Sequence, residues 1–248
     1  MTCVLVISPH PDDEILGCGG SICARSSDGH SIKVAYLSSG EQGSPVDVPT
    51  RVAPMREQEA IRALQCLGLT PSDAIFLGFP DGEIDEGNTN QFVSLMCLIR
   101  SLRPAVMYIP HCMEASKDHR EASKLAIRAA DMAQSRNYRP TAAEQSWRIP
   151  IILAYEVWTP LTSFQYLESI DPYVDRKLQA LECYRSQSQE TKGQATYIGP
   201  GGLALSGYRG AMALGGHAEV FQVIRGDTIF RGVDCCGPRK ALGRADVL

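Results

Sequence analysis

The feature that most restricts the fold of this chain is an apolar run at residues 3–7 that stops at a proline-rich turn. The run has the length and the β-branched content of a buried strand. Pro9 and Pro11 cannot donate backbone hydrogen bonds, so ladder pairing is predicted to end there. In open α/β sheets, ligands bind at this carboxyl edge of the strands. The first turn is therefore where a functional site is expected.

The turn itself carries unusually dense chemistry. His10, Asp12, Asp13 and Glu14 place one imidazole and three carboxylates within five residues. This combination is typical of a metal site with a base beside it. Two adjacent aspartates could serve as metal ligand and base respectively, because consecutive loop residues can point to different sides. Glu14 is expected to stabilise the following helix or to orient a ligand rather than to bind metal.

Strand and helix patterns alternate along the rest of the chain. Further apolar runs that end at glycine, proline or polar residues occur at 31–37, 74–77, 105–109 and 149–157. Segments with helical spacing of apolar residues lie between and after them, at 54–67, 91–102, 118–135 and 174–184. This alternation predicts a three-layer α/β domain with a mostly parallel sheet.

The C-terminal third is harder to interpret. The glycine-rich stretch 199–216 predicts a long loop, and 220–224 predicts a late strand. We expect one domain over residues 1–234 and a loose tail over 235–248, where glycine, proline and mixed charges gather.

Composition narrows the class of protein. The hydrophobic share of 44% and the charged share of 21% are ordinary for a globular domain. A net charge of -4 provides no basic field, so nucleic acid is not expected as a partner. No apolar stretch approaches the roughly 20 residues of a membrane span. With no secretory signal pattern and no CxxC spacing among nine cysteines, we expect a cytoplasmic protein with reduced thiols. A homo-oligomer is compatible with this composition.

A second imidazole is expected at the same edge of the sheet. His119 follows the fourth predicted strand, and the carboxyl ends of parallel strands share one edge. One imidazole and one carboxylate from the first turn, together with His119, would supply three protein ligands. That number leaves the open position of a catalytic zinc. Zinc there would lower the pKa of bound water to about 7 and polarise an acyl oxygen.

Taken together, these residues resemble a known family. The hexapeptide PHPDDE after a strand resembles the signature of the PIG-L/LmbE-like zinc-dependent N-deacetylases. Further matches are spread along the chain, at 40–43 (GEQG), 56–60 (REQEA), 77–82 (LGFPDG), 118–120 (DHR) and 218–221 (AEVF). The resemblance implies a Rossmann-like three-layer sandwich. It also implies hydrolysis of the acetamide of an N-acetylglucosaminyl conjugate, a small amino-sugar substrate, to acetate and a free amine.

The resemblance also implies roles for individual residues. It makes His10, Asp13 and His119 the zinc ligands, with another divalent metal as an alternative, and Asp12 the general base. It further marks Arg56 and Asp81 as candidates for substrate binding. The competing interpretation of Arg56 is a solvated helix residue, and that of Asp81 is a residue favoured by the Pro-Asp-Gly turn.

One position departs from the family pattern. The family usually has a histidine three residues before the last ligand, where this chain has Ser116. That imidazole normally stabilises the oxyanion or protonates the leaving amine, and loss of one oxyanion donor costs about 2.7–4 kcal/mol of barrier. The residues considered for the oxyanion or acid role are Ser116, His111 and His217.

Two other functions stay open at this stage. One is a metal-dependent hydrolase of another bond, such as a phosphoester, although no glycine-rich phosphate cradle accompanies the motif. The other is a sugar- or metal-binding member of the family that has lost catalysis, which the Ser116 departure supports. The sequence does not identify the acetylated sugar or its aglycone.

Overall fold

The computed structural model describes residues 2–44, 47–139, 145–188, 198–213 and 215–226. The expected tail and the expected domain end at residue 234 lie outside the described residues. The strands are β1 Cys3–Ser8, β2 Ser31–Tyr36, β3 Ala74–Phe76, β4 Val106–Pro110, β5 Ile151–Tyr155, β6 Tyr166–Ser169 and β7 Ala218–Gly226. The helices are α1 Asp13–Ser27, α2 Pro49–Cys66, α3 Thr89–Leu102, α4 Lys117–Ala133, α5 Val174–Leu181, α6 Arg185–Ser188 and α7 Ile198–Ala213.

The strands form one sheet in the order β3-β2-β1-β4-β5-β7-β6. The first five of these are parallel, whereas β7 runs antiparallel to both β5 and β6. This confirms the predicted three-layer α/β fold with a mostly parallel sheet. The chain order reverses between β1 and β4, so the loops after these two strands flank the switch point of the sheet.

Both faces of the sheet are covered, which explains the unbroken apolar character of β1. Val4 and Val6 belong to the core on the face that α1, α2 and α5 cover. Leu5 and Ile7 point to the opposite face and pack with α3 and α4. Because successive strand residues face opposite sides, each layer receives alternate residues of the same run. The first strand is therefore fixed from both sides where the site begins.

Helix α1 is interrupted in its first half. Cys18 has φ −145° and ψ 22°, outside the helical range, and the break frees backbone groups on either side. The buried ammonium of Lys177 donates to the Leu16 carbonyl at 2.9 Å. The buried carboxylate of Glu219 accepts from the amides of residues 20–21 at 2.9 and 2.8 Å. Lys177 and Glu219 are themselves 2.8 Å apart, so α5 and β7 together satisfy the interrupted helix.

The prediction of a long loop at 199–216 is wrong, because most of that stretch forms α7. Its glycines permit close packing. A Cβ at Gly202 would lie 2.8 Å from the side chains of Leu16 and Leu181, and one at Gly210 would lie 2.1 Å from the Gly216 carbonyl oxygen. Tertiary contacts therefore override the low helix propensity of glycine here. Strand β6 carried no clear signal in the sequence.

Among the described residues, no helix combines the length and the apolarity needed to cross a bilayer.

Candidate active site

The loop after β1 holds Asp12 in a strained conformation. Its φ of 124° and ψ of −30° are rare for a residue with a side chain. The Asp12 amide donates to a Glu14 carboxylate oxygen at 3.1 Å. The Asp12 carbonyl accepts from the amides of Ile15 and Leu16, which begin α1. Strain of this kind costs about 1–3 kcal/mol and persists where surrounding contacts fix it, often at functional sites.

Glu14 is the buried anchor of this loop. Besides the Asp12 amide, its carboxylate accepts from the hydroxyls of Ser8 at 3.1 Å, Tyr36 at 3.0 Å and Tyr184 at 2.5 Å. Glu14 therefore supports the loop from beneath.

Three side chains from two loops meet at the switch point. Asp13 Oδ2 lies 3.2 Å from His10 Nδ1 and 3.1 Å from His119 Nε2. His119 stands in the first turn of α4, directly after the β4 loop. Asp13 and His119 are buried, and ligand atoms of the three residues all lie within 4.8 Å of one another.

This donor set fits a divalent metal. In a tetrahedral zinc site with bonds of about 2.0–2.1 Å, neighbouring ligand atoms stand about 3.3 Å apart, close to the two separations at Asp13. Two imidazoles and one carboxylate are also a donor combination found in catalytic zinc sites. The expected ligands His10, Asp13 and His119 are thus brought together.

The other ring nitrogen of His10 faces two carboxylates. His10 Nε2 lies 3.1 Å from Asp81 Oδ1 and 3.3 Å from Asp118 Oδ2. The Gln42 amide at 2.9 Å fixes the Asp81 carboxylate, and the Gly82 amide at 2.8 Å fixes that of Asp118. A carboxylate on the second nitrogen of a ligating histidine orients the ring and fixes its tautomer.

The contact with His10 changes the interpretation of two residues. Asp81, a candidate for substrate binding, lies against a candidate metal ligand. Asp118 belongs to the DHR match at 118–120, but the sequence assigns it no role, although its position next to His119 is a signal for one.

The charges in the cluster are strongly coupled. Burial disfavours the Asp13 carboxylate, but the His119 and His10 imidazoles outweigh it and hold the pKa of Asp13 well below its usual range. Burial likewise disfavours charged His10, yet Asp118, Asp13 and Asp81 raise its pKa well above the usual value. The pKa of His119 is raised mainly by Asp13, against the effect of burial. Metal binding at such a site requires neutral imidazoles and releases these protons.

Asp12 lies beside the cluster and is held by Arg56. The Arg56 Nη2 atom is 3.0 Å from Asp12 Oδ2, and the same guanidinium donates to the carbonyls of Gly40 and Pro11. Burial raises the pKa of Asp12 to about 7, the Asp13 charge adds to this, and Arg56 opposes it. A carboxylate with a pKa near neutrality is suited to general-base work. Arg56 is only 4% exposed, so its present contacts orient Asp12.

His111 is buried and does not line the cleft over the cluster. Its Nε2 lies 2.7 Å from the Thr159 carbonyl and 3.2 Å from the Glu114 carboxylate, while the Met113 amide donates to Nδ1 at 3.1 Å. Both ring nitrogens of His111 therefore have hydrogen-bond partners, and the contact of Nε2 with Thr159 joins the loop after β4 to the loop after β5.

Neither of the other two residues considered for an acid or oxyanion role lines the cleft over the cluster. His217 Nδ1 contacts the Ser206 hydroxyl on α7 at 3.1 Å, and its amide donates to Asp171. Ser116 precedes α4 and is partly exposed, and its side chain makes no capping hydrogen bond in the described structure.

A cleft of about 330 Å³ opens over the cluster. It is lined by His10, Asp12, Asp13, Gln42, Gly43, Arg56, Asp81, Trp158 and Gln187. Sequence reasoning missed Trp158 and Gln187. The position of Trp158 just after a strand at the ligand-binding edge was the available signal.

The fold and the site define an α/β protein with a His-Asp-His cluster, at the switch point of its sheet, that could hold a metal ion. The chain belongs to the PIG-L family, described as GlcNAc-PI de-N-acetylase, whose model matches residues 5–130. This confirms the resemblance found in the motifs.

Three known proteins show the range of the likeness. The diacetylchitobiose deacetylase of Thermococcus kodakarensis is 28% identical over 195 residues, 75% of this chain and 70% of that protein. A conserved protein of Thermus thermophilus has a crystal structure with a TM-score of 0.78 and 32% identity, covering 90% of this chain and 95% of that one. The structure of GalB, a 4-carboxy-2-hydroxymuconate hydratase of Pseudomonas putida, shares the fold with a TM-score of 0.76 and 23% identity, over 90% and 96%. The matched region spans about half the length of several curated relatives, the 1D-myo-inositol 2-acetamido-2-deoxy-alpha-D-glucopyranoside deacetylases of Streptomyces and Catenulispora species.

Proposed function

We propose that this protein is a zinc-dependent N-deacetylase that hydrolyses the acetamide of an N-acetylglucosaminyl conjugate to acetate and a free amine. The observation that carries the proposal is the Asp12 carboxylate, held by Arg56 beside the cluster of His10, Asp13 and His119. The family description and the Thermococcus relative support the amide bond and the amino sugar.

Each group near the cluster has a part in this reaction. Zinc, when bound by His10, Asp13 and His119, would polarise the acyl oxygen and acidify a water molecule. Asp12 accepts the proton of the attacking water, and Arg56 keeps its carboxylate in position. The fixed backbone of Asp12 limits the reorganisation that proton transfer requires.

The leaving amine also needs a proton. His111 is bonded on both ring nitrogens, and His217 contacts α7. Asp12 lines the cleft and is not one of the three expected ligands. We therefore assign it both steps, with the proton taken from water returned to the amine nitrogen as the C–N bond breaks.

The test is metal content together with acetate release from N,N'-diacetylchitobiose, with and without chelator. Stoichiometric zinc and acetate release that stops on chelation and returns with zinc would support the proposal. The fold alone does not fix the reaction, because the GalB hydratase shares it. A protein that binds zinc but hydrates an unsaturated acid, or that releases phosphate from a phosphoester, would overturn the deacetylase assignment.

A second candidate function is a sugar-binding member of the family with little catalysis. Ser116, in place of the usual histidine, is the observation that favours it. Saturable binding of diacetylchitobiose by the zinc-loaded protein, with no acetate released, would distinguish this function from the deacetylase.

A further inference from the structure

Trp158 stands out among the residues that line the cleft. It is 56% exposed, although tryptophan is among the most apolar of side chains. It follows β5 at the carboxyl edge of the sheet and lines the same cleft as His10 and Asp12. An exposed indole beside a reactive centre is a binding surface without an assigned ligand.

The backbone that carries Trp158 is held rigidly from beneath. The buried Glu114 carboxylate accepts from three consecutive amides, those of Val157 at 2.6 Å, Trp158 at 3.2 Å and Thr159 at 3.1 Å. His111 adds a contact with the Thr159 carbonyl at 2.7 Å. Burial alone would raise the pKa of Glu114, but His111, the Val157 amide and the His119 charge outweigh it and lower that pKa, which favours the carboxylate.

This arrangement gives the loop a fixed place. The amides of residues 157–159 are all directed to one buried carboxylate, so the indole projects from a prearranged backbone. A side chain mounted in this way loses little conformational freedom when a ligand packs on it. The contacts of His111 also gain a role here, since they join the loop after β4 to the loop after β5.

We propose that Trp158 is an aromatic platform for the sugar ring of the substrate, which makes it a residue that determines specificity. The inference rests on the proposed deacetylase function and names the chemistry that the cleft recognises. One face of a pyranose ring presents C–H groups, and these pack on an indole while the hydroxyls at the ring edge stay free for hydrogen bonds.

The rest of the cleft suits the polar edge of such a ring. Gln42 and Gln187 line it with side-chain amides, each already bonded to the backbone, at the carbonyls of Asp81 and Gly43 respectively. A few placed polar groups around an apolar surface are the usual composition of a ligand pocket. A volume of about 330 Å³ is near the lower end of the usual range of about 300–1,000 Å³, so the cleft suits one sugar unit, with the aglycone outside.

The first test compares substitutions at Trp158 with a control. Trp158→Ala is expected to raise KM for N,N'-diacetylchitobiose about tenfold or more, with kcat changed less than about threefold, because binding and not chemistry is lost. Trp158→Phe is expected to recover most of the affinity. The control is Met113→Ala, since Met113 is 74% exposed on the neighbouring loop and does not line the cleft. Zinc content is measured for all three variants.

The second test is independent of turnover. The chain has two tryptophans, and the Trp147 indole donates to the Pro104 carbonyl at 2.8 Å. In the zinc-loaded Asp12→Asn, Trp147→Phe protein, Trp158 is the sole tryptophan. Its fluorescence is expected to change saturably with diacetylchitobiose and not with N-acetylethanolamine, which has the acetamide without the ring.

The outcomes separate this inference from the proposed function. Normal acetate release with an unchanged KM in Trp158→Ala would overturn the platform and leave the deacetylase intact. A saturable fluorescence change without acetate release from the wild-type protein would overturn the deacetylase and support the platform. Tyr208 and Met212 are also exposed, at 57% and 54%, so an association surface is the rival explanation. Dissociation of an oligomer in Trp158→Ala, with unchanged KM and no fluorescence response, would favour that explanation and overturn ours.

Discussion

The loop after β1 and the first turn of α4, which meet at the switch point, differ in how completely their buried side-chain atoms are hydrogen-bonded. In the loop after β1, the buried Glu14 carboxylate receives four hydrogen bonds and Arg56 holds Asp12. In the first turn of α4, two buried atoms, Asp118 Oδ1 and His119 Nδ1, have no hydrogen-bond partner in the described part of the chain. An unsatisfied buried polar atom costs about 1–3 kcal/mol.

This contrast separates the segment that carries the proposed base from the segment that carries the third proposed ligand. The loop that supplies the proposed base is held in one arrangement by contacts from β1, β2 and the segment after α5. The first turn of α4 supplies one proposed ligand, and two of its buried side-chain atoms have no hydrogen-bond partner in the described part of the chain. This turn begins directly after Ser116, the position that departs from the family pattern. We therefore expect substitutions in the two loops to have different kinds of effect.

The largest expected effect is on metal binding and should appear in both loops. Asp13→Ala and His119→Ala each remove one of three proposed ligands, so zinc content and acetate release should fall to background. Metal analysis of the purified proteins, together with circular dichroism as a control for folding, measures this. Full zinc content in either variant would remove that residue from the ligand set.

The next effect separates base from ligand within the first loop. Asp12→Asn should keep zinc and lower kcat by about 10²–10⁴-fold, because it removes the proton acceptor and leaves the three ligands. Parallel measurements of zinc content and kcat test this. A variant that turned over normally would show that Asp12 is not the base.

A smaller effect concerns stability and tests the support under the first loop. Glu14→Gln replaces one acceptor oxygen by a donor that faces hydroxyl and amide donors, so unfolding free energy should fall by about 2–3 kcal/mol. Glu121→Gln is the matched control, since Glu121 is only partly buried and pairs with the exposed Lys124, so this substitution should cost less than about 0.5 kcal/mol. Urea titration of both proteins measures the difference. Equal losses would contradict the contrast between a buried anchor and a surface pair.

The smallest effect probes the departure in the second loop. Ser116→His restores the imidazole usual in the family and should raise kcat about tenfold, less than an evolved oxyanion donor contributes. Zinc content should not change, since Ser116 is not a proposed ligand. Lower kcat with normal zinc content would indicate that another group performs the role of the family's imidazole in the presence of Ser116.

The sequence predicted those parts of the site that depend on local chemistry. The prolines after residues 3–7 place the turn, and the parallel alternation brings His119 to the same edge as His10 and Asp13. The roles of Asp12 as base and of these three residues as zinc ligands stay predictions until metal and turnover are measured.

The features that could not be predicted depend on distant contacts. The contacts of Arg56 with Asp12 and of Asp81 with His10 span 44 and 71 residues of sequence, so no local pattern shows them. Both residues also line the cleft, and their role in substrate binding stays a prediction. The glycines of α7 predict a loop when the sequence is taken alone, because no local pattern shows that Leu181 packs against Gly202. Trp158 carries no motif, and the Glu114 carboxylate that holds its backbone lies 44 residues earlier in the chain.

The interruption of α1 also has a consequence for the order in which the protein folds on the ribosome. The helix that begins at Asp13 has its freed amides satisfied by Glu219, about 200 residues later in the chain. During synthesis those amides can reach their acceptor only after β7 has left the exit tunnel, so the first loop to be made is among the last to be completed. A chain that stops before β7 would contain all three proposed ligands and still lack the contact that completes α1, the helix that begins at Asp13.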